Sequence, residues 1–265
     1  MSTPIHITFD SNVWRPIVSP SVFPSDPDAL HFQAIRDAIQ KQLAFGFLSE
    51  TTFTLEPIQK KFRKAFFGSY HADVKTAVRA DKAGVGVSFA IGPSLSQHAS
   101  NNPILERHLK DALALNFKLL RCPRIGGVNN PDLLPSYYAT DSRVPAGERQ
   151  ERCGKISCEI EAKGWGIKHI KDIGNKYANG KAWLNGIKNA PTTEDAAIIK
   201  AIAEWADGDA VAAHYAYVND YFCTRDAAKA AGVNSVLSPA NRTWLSQNFN
   251  VNFITPEQIA KILAT

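Results

Sequence analysis

An α/β fold with a mainly parallel central sheet is predicted by this sequence, because strand-like and helix-like segments alternate at both ends of the chain. Near the N-terminus, the alternating segment 5–10 is typical of a strand, and it precedes a helix whose apolar residues include Phe32 and Ile39. Near the C-terminus, a strand-like segment ending at Asp226 lies between two helical segments. With 265 residues, 45% of them hydrophobic and 21% charged, the chain can bury the core of a single domain covering 1–265.

Two further elements are predicted in the first part of the chain. The helix that contains Phe32 is expected to end at Gly46, and residues 47–48 are expected to form a short second strand. Thr54 is expected to cap another helix, whose apolar stripe comprises Ile58, Phe62 and Phe66. The resulting order of strand, helix, strand and helix is the one that parallel strands require.

The middle of the chain, from about residue 67 to 188, departs from this pattern and is predicted to be an insertion. Residues 84–103 are rich in Gly, Ser, Pro and Asn and are expected to form a loop, whereas 103–120 has the apolar spacing of a helix. Residues 122–145 have no regular pattern, and 146–163 are expected to form a polar, exposed helix.

Regular alternation of helices and strands returns near Thr193. The predicted elements are an amphipathic helix at 197–205, a small-residue helix at 209–218, a strand at 221–224, a helix at 227–231 stopped by Gly232, and short strands at 236–237 and 253–254. The core of the fold is therefore expected to comprise 5–66 and 193–257, with the insertion between them.

Composition disfavours several classes of protein. The four cysteines include no C-x-x-C pair, and no histidine stands at zinc-finger spacing, so we expect reduced thiols without a zinc site or a disulfide. The N-terminal residues lack the basic and apolar regions of a signal peptide, and no apolar run approaches the roughly 20 residues of a membrane span. These features predict a cytoplasmic protein without a membrane partner.

The net charge of +5 is concentrated in one stretch of the chain. Residues 118–188 contain 13 Lys or Arg against 7 Asp or Glu, so the remainder is slightly acidic. This excess indicates either an anionic partner such as nucleic acid or a solvated basic surface. Because lysines here alternate with glycines and aromatic rings, they are candidates for substrate binding: Lys168, Lys171, Lys176 and Lys181. Trp165 and Trp183 in the same stretch are more readily explained as core residues.

Carboxylates follow two of the predicted strands. Asp10 and Asp226 stand at or just past a strand end, and Asp209 stands at the start of a predicted helix. Taken singly, each is better explained as a turn former or a helix cap. Ligands of open parallel sheets bind at the carboxyl ends of strands, where these acids would repel each other unless they were protonated or neutralised by a divalent cation. Oxygen ligands favour Mg²⁺ or Mn²⁺, which can activate water for attack on a phosphate.

Four short motifs together resemble those of the PIN-domain nucleases. They are Asp10-Ser11-Asn12-Val13 after a strand, an acid after Thr-x-Thr at a helix start, Asp209-Ala210-x-x-Ala213-His214, and Thr224-Arg225-Asp226 after a strand. The resemblance covers roughly 5–66 and 193–257. It implies a PIN-like three-layer fold and a Mg²⁺- or Mn²⁺-dependent endoribonuclease with an RNA substrate. If the protein is toxin-like, the resemblance also implies an antitoxin or other protein partner.

The resemblance implies roles for individual residues as well. Asp10, Asp209 and Asp226 would bind the metal ion together with a fourth acid. Asn12 and Thr224 would orient the acids and the attacking water through hydrogen bonds. These residues would together form the catalytic site of a hydrolase.

Two of the acidic positions have competitors. Glu56, after the Thr-x-Thr segment, fits the fourth acid better than Glu50, although Pro57 directly after it departs from the family pattern. Asp209 is preferred to Asp207, because residues two apart on a helix point about 200° apart and only one can face the site. Asp207 is interpreted as a helix N-cap.

Two neighbouring residues also have more than one explanation. Arg225 is a candidate contact for a substrate phosphate, and an ion pair with a nearby acid is an equal alternative. His214 lies about 140° from Asp209 on a helix, so it is interpreted as a packing or surface residue and not as a ligand.

Other functions stay open beside the ribonuclease. A DNA-directed, flap-endonuclease-like nuclease would use the same acids, and a non-catalytic PIN scaffold would bind RNA or protein without cleaving. A phosphatase of the haloacid dehalogenase type is disfavoured, because it needs an aspartate two residues after Asp10 and this chain has Asn12.

Overall fold

The secondary structure comprises a parallel sheet, a hairpin and helices. The computed structural model describes residues 3–70, 72–81, 84–93, 103–122, 128, 130–140, 143–226 and 234–264. The strands are β1 (Ile5–Phe9), β2 (Ala44–Ser49), β3 (Ala72–Asp81), β4 (Gly84–Pro93), β5 (Lys118–Leu120), β6 (Tyr221–Cys223) and β7 (Phe253–Ile254). The helices are α1 (Trp14–Val18), α2 (Ala29–Gln40), α3 (Thr51–Thr54), α4 (Arg63–Ser69), α5 (Pro103–Ala114), α6 (Ala146–Ala162), α7 (Lys168–Lys176), α8 (Trp183–Asn189), α9 (Asp195–Tyr217), α10 (Pro239–Phe249) and α11 (Pro256–Leu263).

Five of the strands form a parallel sheet in the order β5-β2-β1-β6-β7. The central strand is β1, in which Phe9 is paired with Leu48 of β2 and with Cys223 of β6. The order of the strands reverses between β1 and β6. At such a point the loops that leave the two strands diverge and open a crevice at their carboxyl ends. The predicted α/β class with a parallel sheet is confirmed.

Helices cover both faces of the sheet, because successive strand residues point to opposite apolar clusters. Ile7, Phe9 and Leu48 pack on one face against residues of α1, α2, α5 and α11. Phe47 and Phe222 pack on the other face against α6, α9 and α10. A third cluster joins α4, α7, α8 and the first half of α9. Among the described residues, none of the helices combines the length and apolar character needed to cross a membrane.

The core is larger than predicted, because part of the expected insertion belongs to it. Helix α5 packs on the core through Leu109 and Ala112, and β5 extends the sheet beside β2. The chain turns from α5 into β5 at Asn116, which adopts a positive φ of 60°. The predicted helix at 103–120 is therefore a helix followed by a strand. The expected core limits were wrong at this point, because β5 is short and finds its partner far away in sequence.

Two glycines have a different role from the predicted one. Gly46 lies inside β2 instead of ending a helix, and a Cβ atom there would lie 2.6 Å from the ring of Phe117. Gly208 lies inside α9, which runs unbroken where two helices were predicted. A Cβ atom on Gly208 would lie 3.1 Å from the Cα atom of Gly166. Both glycines therefore permit a close approach between elements.

Other predicted elements differ in type or extent. Thr54 ends the short helix α3 instead of capping a longer one, and Phe62 is 52% exposed. Residues 84–93 form a strand of a hairpin instead of a loop. Residues 236–237 form a turn before α10 instead of a strand, and the helix predicted at 227–231 lies outside the described residues.

The helical part of the expected insertion is packed on the core. Trp165 contacts Trp244 edge-to-face, with 5.7 Å between ring centroids, and Trp183 contacts Trp205 at 6.2 Å. The interpretation as a core residue is confirmed for Trp165, whereas Trp183 is partly buried and packs against the edge of the third cluster. Helix α6, predicted to be exposed, buries one face on α9 through Cys153, Ile156 and Ile160.

Candidate active site

Asp10 is the first residue after β1 and is held at the crevice by hydrogen bonds. Its backbone N–H donates to the carbonyl oxygen of Cys223 at 2.9 Å, which continues the pairing of β1 with β6. Its carboxylate accepts hydrogen bonds from the N–H of Ser11 at 2.6 Å, from Asn12 Nδ2 at 2.9 Å and from Thr224 Oγ1 at 2.6 Å. Burial raises the pKa of Asp10, although the hydrogen bonds from Thr224 and Ser11 oppose this rise.

Thr224 connects two of the predicted acids. Its hydroxyl donates to Asp10 and accepts a hydrogen bond from the backbone N–H of Asp226 at 2.9 Å. The side chain is only 1% exposed, so this hydroxyl has few other partners available. Thr224 and Asn12 therefore both contact Asp10 in the way that the orienting role requires.

Arg225 joins the loops that follow β1 and β6. Its backbone N–H donates to Asn12 Oδ1 at 3.2 Å, and its Nη2 donates to the carbonyl oxygen of Asn12 at 2.6 Å. Its Nη1 forms an ion pair with both oxygens of Asp26, at 2.8 and 2.9 Å. The ion-pair alternative is thus present, and a contact between Arg225 and a substrate phosphate stays a prediction.

Five carboxylates, which we call the acid cluster, influence one another at the crevice: Asp10, Glu56, Glu204, Asp207 and Asp226. Burial and then the charge of Asp10 raise the pKa of Glu56 to about 7. Burial, followed by the charges of Asp10, Glu204, Glu56 and Asp226, raises the pKa of Asp207 well above its ordinary value. Without a cation, burial and these charges therefore favour the protonated forms of Glu56 and Asp207.

Four parts of the chain supply the acid cluster. Asp10 and Asp226 follow the adjacent strands β1 and β6, and Glu56 follows α3. Glu204 and Asp207 lie three residues apart on α9, so they share one face of that helix. Burial raises the pKa of Glu204, and the charge of Asp226 adds to the rise.

The interpretation of Asp207 as a helix N-cap was wrong, because this residue lies within α9. The charges of Asp10, Glu204, Glu56 and Asp226 act on the Asp207 carboxylate. Asp209 is 4% exposed and accepts a hydrogen bond from Trp205 Nε1 at 2.9 Å, and its charge acts on Glu50. The two positions face different neighbours, as their helical spacing requires, and a role of Asp209 as a metal ligand stays a prediction.

Glu50 and Glu56 also lie in different surroundings. Glu50 accepts hydrogen bonds from the N–H of Cys122 at 2.7 Å and from the hydroxyl of Tyr138 at 3.0 Å. Burial raises the pKa of Glu50 to about 6. Glu56 instead experiences the charge of Asp10 and shares a hydrogen bond with the Ser11 side chain. Of the two glutamates, Glu56 is therefore the one whose pKa responds to Asp10.

His214 is a buried packing residue. It is 1% exposed, and its Nδ1 lies 2.9 Å from Thr8 Oγ1, which also accepts a hydrogen bond from Asn219 Nδ2 at 2.8 Å. Burial lowers the pKa of His214 to about 3, so the ring is neutral near pH 7. The interpretation of this residue as a packing histidine agrees with these contacts.

A cleft of about 510 Å³ opens beside the acid cluster. Its lining includes Ser11, Asn12 and Glu56, together with the exposed side chains of Arg15 and Lys60. Cations in the lining of an open cleft favour an anionic ligand.

Arg242 is a cation of the site that sequence reasoning missed. It lies in the first turns of α10, and the negative charges of Asp226, Asp10 and Asp207 act on its guanidinium group. Its Nε and Nη2 atoms are buried and have no hydrogen-bond partner among the described residues. No motif around Arg242 signals this position, because only the packing of α10 brings it to the cluster.

The four candidate lysines of the expected insertion lie away from the cluster in sequence and are mostly paired with acids. Lys168 forms an ion pair with Asp172. Lys171 pairs with Glu161 at 2.6 Å, and Lys176 lies 3.8 Å from Glu194. Lys181 is exposed. Exposed ion pairs are weak, so these contacts leave substrate binding by the four lysines as a prediction.

No family model, curated protein or solved structure matches the chain. Among the described residues, no group of three or more His, Cys, Asp or Glu side chains is already arranged to hold a metal ion. The acid cluster offers only carboxylate oxygens, which is the donor chemistry that Mg²⁺ and Mn²⁺ prefer. The residues therefore fit a hard divalent cation in chemistry, and coordination of one ion would require their side chains to converge.

Two acids of the cluster were not selected from the sequence, although a local signal existed. Glu204 and Asp207 are spaced three residues apart, which places them on one helix face. Trp205 and Asp209 are spaced four apart, which permits the hydrogen bond that they form. The spacing of these two pairs indicates that Glu204 and Asp207 lie on one face of α9, whereas Trp205 and Asp209 lie on another.

Proposed function

We propose that this protein is a metal-dependent nuclease that hydrolyses RNA phosphodiester bonds, as an endoribonuclease of the PIN type. The observation that carries the proposal is the acid cluster at the reversal of strand order, where burial, and after it the charges of neighbouring carboxylates, raises the pKa values of Asp10, Glu56 and Asp207. Buried like charges are costly to fold together, and clusters of this kind are common at functional sites.

In this proposal Asp10, Glu56, Asp207 and Asp226 hold Mg²⁺ or Mn²⁺. Such an ion, when bound, lowers the pKa of a water molecule and stabilises charge on a phosphate. Thr224 and Asn12 fix the Asp10 carboxylate, so one ligand is oriented before the ion arrives. Preorganisation of this kind lowers the cost of assembling the site.

The choice of a nucleic acid as substrate rests on shape and charge. The cleft beside Glu56 is open, and the exposed Arg15 and Lys60 in its lining supply positive charge for the phosphates of a strand. The basic stretch 118–188 adds positive charge elsewhere on the chain. RNA is proposed over DNA because of the resemblance to PIN-domain ribonucleases, so the experiment compares the two.

The test measures cleavage of matched RNA and DNA oligomers in Mn²⁺ and in excess chelator. We expect RNA cleavage that requires the metal ion. Asp207→Asn should lower the rate by orders of magnitude, because it removes a proposed metal ligand. Asp209→Asn is the matched control, two residues away on the same helix, and should retain substantially more activity.

Three outcomes would contradict parts of the proposal. Full activity in chelator would exclude the metal-dependent mechanism. Loss of activity in Asp209→Asn but not in Asp207→Asn would restore the sequence-based assignment of the ligands. Faster cleavage of DNA than of RNA would favour the flap-endonuclease-like alternative.

A further inference from the structure

The guanidinium group of Arg242 has hydrogen-bonding capacity that the described chain does not use. Nε and Nη2 are both buried and lack an acceptor among the described residues. The group lies near an aromatic ring, with Cζ 5.5 Å from the centroid of Phe253. A buried N–H group without a partner costs free energy, so such a group in a folded protein calls for an explanation.

A role in neutralising the acid cluster does not by itself explain why two donors of Arg242 lack a hydrogen-bond partner. A guanidinium that served only as a counter-ion would gain most by donating hydrogen bonds directly to a carboxylate, as Arg225 does to Asp26. Arg242 is close enough to feel the charges of Asp10, Asp207 and Asp226, yet no described carboxylate accepts from its Nε or Nη2. The described chain therefore leaves these two donors unsatisfied.

The geometry of the two donors specifies the class of acceptor that would satisfy them. Nε and Nη2 form one edge of the planar guanidinium group, and this edge matches two oxygens of a phosphate or carboxylate. Arg242 also lies in the first turns of α10, which begins at Pro239 after the Ser238 cap. The partial positive charge at the start of a helix favours an anion there as well.

We propose that Arg242 binds a phosphate group of the substrate beside the acid cluster, through Nε and Nη2. This inference rests on the proposed nuclease function for the identity of the anion as a phosphodiester. In that setting the metal ion and Arg242 would contact the same phosphate from two sides. Arg242 would then stabilise the negative charge that grows on the phosphate oxygens during attack by water.

The experiment measures binding of inorganic phosphate and of an RNA oligomer to the Mg²⁺-loaded protein by calorimetry, and cleavage of the RNA under single-turnover conditions. We expect Arg242→Gln to weaken phosphate binding by roughly tenfold or more, the loss typical of a charge-assisted hydrogen-bonded pair. Arg242→Lys should recover only part of the affinity, because an ammonium group keeps the charge but loses the planar edge. The cleavage rate of bound RNA should fall in both variants.

Arg152 provides a matched control. Unlike those of Arg242, its Nε and Nη2 both donate within the chain, to the carbonyl oxygen of Tyr215 at 3.2 and 3.0 Å, while its guanidinium also lies over an aromatic ring. Arg152→Gln should therefore leave phosphate binding unchanged. Thermal unfolding of every variant identifies any loss that results from misfolding, and Arg242→Lys covers the case in which Arg242→Gln does not fold.

The outcomes separate this inference from the proposed function. If wild type and Arg242→Lys bind phosphate equally, or if Arg242→Gln binds it as tightly as Arg152→Gln, the inference is overturned and Arg242 is only a counter-ion. If phosphate binding depends on Arg242 while wild type cleaves no RNA under any metal condition, Arg242 stands as an anion site and the nuclease proposal fails.

Discussion

Glu56 should make the stability of the metal-free protein depend on pH. Its pKa is raised from the ordinary value of 4.5 to about 7, first by burial and then by the charge of Asp10. Since one pKa unit corresponds to about 1.4 kcal/mol, ionising Glu56 costs about 3 kcal/mol more in the folded protein than in the unfolded chain. Glu56→Gln removes that cost, because glutamine does not ionise.

The sign of the effect follows from the order of the two pKa values. Below pH 4.5, the pKa in the unfolded chain, Glu56 is protonated in both states and adds no pH-dependent cost. As the pH rises from 4.5 to about 7, the unfolded chain releases its proton before the folded protein does, so stability falls. Above this window both states are ionised, and the full cost of about 3 kcal/mol is present.

The assay is urea unfolding in excess chelator, followed by circular dichroism, at about pH 4.5 and about pH 8. Glu56→Gln should match wild type at the lower pH and be more stable by about 2–3 kcal/mol at the higher pH. Glu151→Gln, which changes an exposed glutamate on α6, should follow wild type at both values. The same pH dependence in wild type and Glu56→Gln would refute the placement of Glu56 in a half-buried cluster of like charges.

Three further predictions concern the same region and the basic helices. Mg²⁺ should raise the midpoint of thermal unfolding more at about pH 8 than at about pH 5, because the cation replaces the protons of the cluster, and Asp10→Asn should abolish most of this gain. Thr224→Val should cost about 1–3 kcal/mol in urea unfolding, because it removes the 2.6 Å hydrogen bond to Asp10, while Thr224→Ser retains the hydroxyl and should cost clearly less. Replacing four lysines with uncharged residues should weaken RNA binding without changing the cleavage rate of bound RNA: Lys168, Lys171, Lys176 and Lys181. The slope of log affinity against log salt concentration should become less steep by about 0.7 for each phosphate contact that is lost. If the variant binds RNA with the affinity and the salt slope of wild type, the four lysines do not bind the substrate.

The sequence predicted those elements whose signal is local. Strand β1 alternates in polarity and is followed by Asp10, and β6 is followed by Thr224 and Asp226, so the two central strands and their polar ends were identified. The central strands of an α/β sheet also define its binding crevice. For this reason Asp10 and Asp226 could be selected before any geometry was known.

Elements that depend on distant partners were not predicted correctly. The strand β5 has only three residues and follows α5 closely, so its apolar residues continue the helical pattern. Its identity as a strand comes from pairing with β2, in which Leu48 lies opposite Leu119. Gly46 was misinterpreted for a similar reason. A side chain at this position would collide with the ring of Phe117, which is distant in sequence. Local sequence preferences contain no information about either of these long-range contacts.

The interpretation of Asp207 as an N-cap failed for a physical reason of the same kind. An acid before a glycine is a reasonable N-cap, and that interpretation removed Asp207 from the site. Gly208 is present for another reason, since α9 passes close to Gly166 and has no room there for a side chain. Once α9 is continuous, Asp207 shares a face with Glu204, whereas Asp209 accepts the hydrogen bond of Trp205. The close approach at Gly208 therefore explains a glycine that does not interrupt the helix, and the continuous helix places Asp207 on the face of Glu204.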